Sequence, residues 1–277
     1  MSDKKIAILI NTCDAFEDCW DLFFAGISNC WSDCSLPIYL NTQSSTYCNE
    51  KIKDLKVFTS PEYKEKDCWG KRLINTLQKI DSPYVIMLLE DFVLSAPVNS
   101  NIDLDELVEE MENDKSIGVI YLHHHPSTNV NEPWNQIYGK LPQKCDYKLT
   151  TQPGLWRKDY LLECIKGIEN PWEWEVYRSK YAWHRKEKEY ALLNSENNFF
   201  HFAEGGVIGK GKWRREVVEL AKEYNINIDF QKRGFFESKN RGGDVYSIKK
   251  NFPKDIFKAV FWRLFFDRIY KSLYLRV

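Results

Sequence analysis

Tyr84–Leu89 (YVIMLL) is a run of six apolar residues that ends directly on two carboxylates, Glu90 and Asp91. A continuous apolar run of this length reads as a strand buried on both faces, the situation of parallel sheets covered by helices. Such a strand needs neighbours of its own kind. Lys5–Asn11 (KIAILIN), Pro37–Asn41 (PIYLN), Lys56–Ser60 (KVFTS) and Ile117–Leu122 (IGVIYL) supply them. Between these runs, Trp20, Phe23, Phe24, Ile27 and Trp31 recur at helical spacing, as do Trp69, Leu73, Leu77 and Ile80, and Leu104–Met111 reads as an acidic helix. The alternation predicts an α/β fold with a mostly parallel twisted sheet flanked by helices. Ligands of such sheets bind beyond the carboxyl ends of the strands, where Asp14 and Glu90–Asp91 fall.

The remainder is less regular. Residues 123–150 read as an irregular loop, followed by a turn at Pro153-Gly154, a helix from about Arg157 to Ile168 and a turn at Asn170-Pro171. Residues 175–193 read as a charged helix, and Asn198–Phe202 as a short strand entering the glycine-rich stretch Gly205–Gly211.

The formal charge of −1 over 277 residues excludes a general nucleic-acid binder, which is basic overall. Charge is uneven, however. Residues 249–277 hold eight Lys and Arg against Asp255 and Asp267. Within them Ile256, Phe257, Val260, Phe261, Leu264, Phe265, Ile269, Leu273 and Tyr274 form an apolar stripe at helical spacing. A basic amphipathic helix of this kind suits an anionic membrane surface, or else packing on the domain. No apolar run approaches the roughly 18 residues that span a bilayer. The first residues lack the features of a signal peptide. The expectation is a cytoplasmic protein, peripherally attached to the inner membrane face, with its eight cysteines as thiols.

Adjacent carboxylates at the end of a buried strand are costly unless something positive meets them, and a divalent cation holding a diphosphate is one such partner. A solvated strand-end turn is the other reading. Gly206–Lys212 fits G-x-x-x-x-G-K, but Trp213 stands where a phosphate-binding loop has Ser or Thr. A glycine loop offering Lys210, Lys212, Arg214 and Arg215 to a diphosphate is the better reading, beside that of a solvated basic loop. Consecutive His123, His124 and His125 alternate faces on a strand, which disfavours one shared ion.

With Glu90-Asp91-Phe92 in this position, the chain resembles the GT-A glycosyltransferases that build bacterial capsule or lipopolysaccharide glycans. Phe92 replaces the second acid of that family's motif. Pro153-Gly154-Leu155-Trp156 is similar to the family's acceptor-side glycine loop, and Trp172-Glu173-Trp174-Glu175 to the acidic motif that carries the base of inverting members. His201 corresponds to the histidine that completes a metal site.

The resemblance implies a catalytic domain over 1–235, a tail over 236–277, and a nucleotide-sugar donor with Mn or Mg. In these terms Asp91 and His201 hold the metal, and Asp14, Glu90, Lys210, Lys212 and Arg214 bind the donor. Glu175 or Glu173 takes the proton from an acceptor hydroxyl of a growing glycan, free or lipid-linked, with Trp172 and Trp174 as a stacking wall. A sugar nucleotidyltransferase, or an inert glycan-binding protein at the membrane, are the alternatives.

Overall fold

A computed structural model describes residues 4–63, 69–167, 169–203 and 205–237. The basic tail over 249–277 and its membrane-docking stripe lie outside the described residues, as does Cys68. The other seven cysteines are free thiols. The chain divides into two compact units, 1–236 and 237–277.

The first unit is built on an eight-stranded sheet. Its strands are β1 (Ile6–Asn11), β2 (Ile38–Thr42), β3 (Leu55–Thr59), β4 (Tyr84–Leu88), β6 (Ile117–His124), β7 (Tyr138–Lys140), β8 (Gly154–Arg157) and β9 (Lys188–Leu192). The spatial order is β3-β2-β1-β4-β8-β6-β9-β7. β8 and β7 run antiparallel to their neighbours and the other six strands share one direction, so the α/β expectation holds.

Alternation along β1 explains why its apolar run is unbroken. Ile6, Ile8 and Ile10 pack on one face with α1 (Trp20–Cys30) and α3 (Leu104–Asn113). Ala7 and Leu9 pack on the other with α2 (Trp69–Lys79) and α4 (Lys158–Cys164). Both faces are dry, and both select apolar side chains.

Three local expectations are corrected. Pro153-Gly154 is the entry to β8, at the centre of the sheet, and not a turn. Gly154 stands there because a Cβ would lie about 3.0 Å from Val119 and Trp156 side-chain atoms. The loop assigned to 123–150 contains the end of β6 and the short strand β7. The helix assigned to 175–193 stops early. α5 (Pro171–Glu173), a π-helical turn over Trp174–Arg178 and α6 (Ser179–Ala182) run on from one another, and the chain then enters the sheet as β9. Its charged residues are accommodated there because Glu189 meets Lys148 at 2.6 Å with both side chains buried.

Small elements complete the unit. β5 (Leu94–Ala96) pairs with β10 (His201–Phe202), and β11 (Ile208–Gly209) with β12 (Lys212–Trp213), ahead of α7 (Val217–Glu223). Among the described residues no helix is long and apolar enough to cross a membrane.

Candidate active site

The carboxyl ends of β1, β2, β4 and β6 gather the polar residues. Asp14 follows β1 at the start of a 3-10 turn, Asp14–Cys19. Its carboxylate accepts from the Gln43 and Ser44 amides at 2.9 and 3.0 Å and from the Ser44 hydroxyl. Burial alone would raise its pKa; these donors outweigh burial and hold it below the usual range. Asp14 thus clamps the loop after β2.

Glu90 and Asp91 follow β4. Glu90 is buried. Burial raises the pKa of both carboxyls, and the charge of Asp91 adds to the rise at Glu90, which stands well above the usual carboxylate range. The Thr12 hydroxyl and, at longer range, Arg233 work against that rise at Glu90, as Arg214 does at Asp91. Oδ1 of Asp91 is buried without a hydrogen-bond partner. A buried polar atom left open in this way can be completed by an ordered water or by an incoming group.

The glycine-rich segment folds onto Asp91. The Asp91 carbonyl accepts from the Val207 amide, and the Val207 carbonyl from the Arg214 amide, each at 3.0 Å. Gly205 and Gly206 have φ of +71° and +75°. A Cβ on Gly206 would sit 3.1 Å from Asp91 Oδ2, and one on Gly205 2.9 Å from the Arg214 guanidinium carbon. Glycine is therefore required twice, for left-handed backbone and for close approach. β11 and β12 close in a two-residue turn with positive φ at Lys210 (+52°) and Gly211 (+79°), the twist-matched hairpin turn. Lys210 and Lys212 are exposed at this hairpin, and Lys210 and Arg214 lie over the Phe236 ring.

Glu175 lies in the π-helical turn, a local widening frequent at functional sites. Its Oε1 accepts from Thr150 Oγ1 (2.9 Å), the Thr151 amide (2.8 Å) and Thr151 Oγ1 (2.7 Å). No described residue hydrogen-bonds Oε2. β8 pairs Gly154 with Met87 of β4, so the residues entering β8, Thr150 and Thr151, lie toward the same sheet end as Glu90. Glu173 is differently employed. It forms a capping box with Asn170, each side chain bonding the other's amide. Trp174 is buried, packs on Trp69 and Trp156 and donates to the Cys164 carbonyl, which removes it from any stacking wall. Trp172 is 73% exposed.

His201 pairs with Ala96, five residues beyond Asp91. The Phe92 ring stacks on Phe202, with centroids 5.0 Å apart. Among the described residues no three His, Cys, Asp or Glu side chains are grouped to hold a metal ion. The rings of His123, His124 and His125 engage three separate backbone carbonyls, of His124, Leu192 and Tyr147.

Sequence reasoning missed Thr150 and Thr151, which sit in a stretch without periodicity. It also missed Arg233, whose guanidinium pairs with both oxygens of Asp18 and lies over Phe16, 4.7 Å from its ring centre.

No family model matches the sequence, and no curated protein matches it either. Solved structures with a similar outline include a cytidylyltransferase from Leptospira borgpetersenii, at 13% identity and TM-score 0.43, covering 80% of this chain and 95% of that one. A fragment of S. aureus TarS in complex with UDP shows 10% identity and TM-score 0.48, over 83% of this chain and 68% of the fragment. A CMP:2-keto-3-deoxy-manno-octonic acid synthetase complexed with CTP shows 12% identity and TM-score 0.36, over 80% and 98%. At these scores the likeness carries no argument about chemistry, which must come from the site itself.

Proposed function

We propose that the protein is a glycosyltransferase that moves a sugar from a nucleotide-diphosphate donor to a hydroxyl of a surface glycan, with inversion. The observation that carries this reading is a division of labour at one end of the sheet. Glu90, Asp91 and the basic hairpin form one charged group, and Glu175 forms a second, held through the entry to β8.

In this reading the acceptor hydroxyl loses its proton to Oε2 of Glu175 as its oxygen bonds to the anomeric carbon. The bond from that carbon to the β-phosphate oxygen breaks, and its electron pair leaves on the diphosphate. Arg214, Lys210 and Lys212 meet the charge that develops there. Clamping of Oε1 by three donors fixes the direction of Oε2, which suits a base. Asp91 orients the guanidinium and the donor sugar.

A sugar nucleotidyltransferase needs a basic, glycine-rich loop after β1 for a triphosphate. Asp14–Cys19 (DAFEDC) is acidic there, which favours glycosyl transfer. The tail over 249–277 supports docking on an anionic membrane face, where a lipid-linked acceptor is found.

The test is a hydrolysis and transfer screen across UDP-, GDP-, CDP- and ADP-sugars, run beside Asp91→Asn. One donor should be turned over, and Asp91→Asn should lower the rate by about 100-fold with the fold retained. Release of pyrophosphate from a nucleoside triphosphate and a sugar phosphate would instead establish the nucleotidyltransferase. Glycan binding with no turnover of any donor would make the protein an inert binder.

A further inference from the structure

The resemblance implies a divalent cation beside Asp91, and the number of carboxylates does not decide the matter. Mg²⁺ is commonly held by one or two carboxylates together with substrate phosphates. The cation already present is what decides it. Two successive backbone hydrogen bonds tie Asp91 to Val207 and Val207 to Arg214. Gly205 and Gly206, adjacent in the chain, lie against the Arg214 guanidinium and the Asp91 carboxylate. This brings a permanent positive charge to the same glycine turn as the carboxylate that the metal would need. A doubly charged ion there would be repelled by it in a partly dry site, where screening is weak.

Among the described residues no third His, Cys, Asp or Glu joins a group that could hold the ion. Phe92 stacks on Phe202 and has no ligand oxygen to offer. Nε of Arg214 is buried with no hydrogen-bond partner, and so is Oδ1 of Asp91. Both side chains line the same segment: a Cβ on Gly209 would lie 3.6 Å from Arg214 Nε, and one on Gly206 3.1 Å from Asp91 Oδ2. A guanidinium offers the planar, paired donors that phosphate oxygens take.

We infer that the site binds its nucleoside diphosphate without a divalent cation, with the Arg214 guanidinium standing where a metal-dependent transferase holds its ion. This rests on the glycosyl-transfer reading and specifies its leaving-group chemistry. When the anomeric carbon–oxygen bond breaks, the electron pair passes to a β-phosphate oxygen that accepts from Arg214. No redox change or further reactant is involved.

The experiment is calorimetry on the full chain with UDP, CDP, GDP and ADP, each in EDTA and in Mn²⁺. The nucleotide that binds should do so with the same Kd, within about twofold, in both buffers. Arg214→Gln should weaken it about 10- to 100-fold in both, as expected for hydrogen bonds to a charged group. Arg214→Lys should recover part of the loss. Thermal melting of Arg214→Gln separates lost binding from lost folding, and the wild-type comparison stands even if the variant is unstable. Wild-type affinity that rises more than about tenfold with Mn²⁺ overturns the inference while leaving glycosyl transfer intact. Failure of all four nucleotides in both buffers removes the transferase reading, and the inference falls with it.

Discussion

Two buried acids on the same sheet have opposite surroundings. Glu189, within β9, is fully enclosed. Its Oε2 meets Lys148 at 2.6 Å, its Oε1 accepts from the Tyr160 hydroxyl at 2.6 Å, and Lys148 donates onward to the Pro142 carbonyl at 3.2 Å. Buried Glu90 and half-buried Asp91 lie side by side just past β4, and Asp91 keeps a buried oxygen with no partner. Burying charge is expensive in both places. In the first the protein supplies the whole solution, and the acid serves the architecture. In the second part of the solution is left open, which is the condition for an incoming ligand to complete it.

The largest effect should come from breaking the completed site. Lys148→Met leaves Glu189 enclosed without its cation, and loss of about 3–5 kcal/mol of unfolding free energy is expected. Lys148→Met combined with Glu189→Leu should recover about half of that loss or more, because a buried pair replaced by apolar groups is close to neutral. Urea unfolding of the single and double variants measures both. If the single variant melts like wild type, Glu189 is not held as described, and the contrast with Glu90 disappears.

The next effect concerns turnover. Glu175→Gln keeps the shape and removes the basicity, so kcat should fall about 100-fold or more with the KM for the donor little changed. Glu173→Gln should keep kcat within about twofold and cost about 1 kcal/mol of stability or less, since a helix cap is what it disturbs. Steady-state kinetics on both variants sharpens the comparison to two carboxylates two residues apart in sequence. Exchanged outcomes would move the base to the exposed cap.

These contrasts also explain what could be read from the sequence. KIAILIN, PIYLN and YVIMLL match β1, β2 and β4 within one or two residues, since strands covered on both faces leave an apolar trace, and KVFTS matches the partly exposed edge strand β3 as closely. β9 (KEYAL) hides behind two charged residues. Only the contact of Glu189 with Lys148, forty-one positions earlier, allows it into the sheet, and no local pattern reports so distant a partner. β8 has four residues and begins on a glycine chosen for close packing, which local reasoning takes for a turn. At the site the acids were legible because an apolar run stopped on them. Thr150 and Thr151 were not, because hydroxyl residues in a loop have no spacing to betray them.

The smallest effect is the most diagnostic of the open site. Glu90 is raised by burial and by the charge of Asp91, so the folded protein holds a proton on this pair that the unfolded chain has released. Over the interval between the ordinary carboxylate pKa and the raised one, folding takes up protons. The stability contributed by protonated Glu90 is therefore complete below the ordinary value and lost as pH rises through the raised one. Glu90→Gln keeps a neutral side chain at every pH. In EDTA the variant should melt with wild type at low pH and about 2–5 °C above it at the alkaline end, where wild-type Glu90 is forced to ionise. Differential scanning calorimetry across pH reads all of this. Equal melting of wild type and Glu90→Gln at the alkaline end would mean that the acid pair is already neutralised, and the open site would have to be sought elsewhere on the sheet edge.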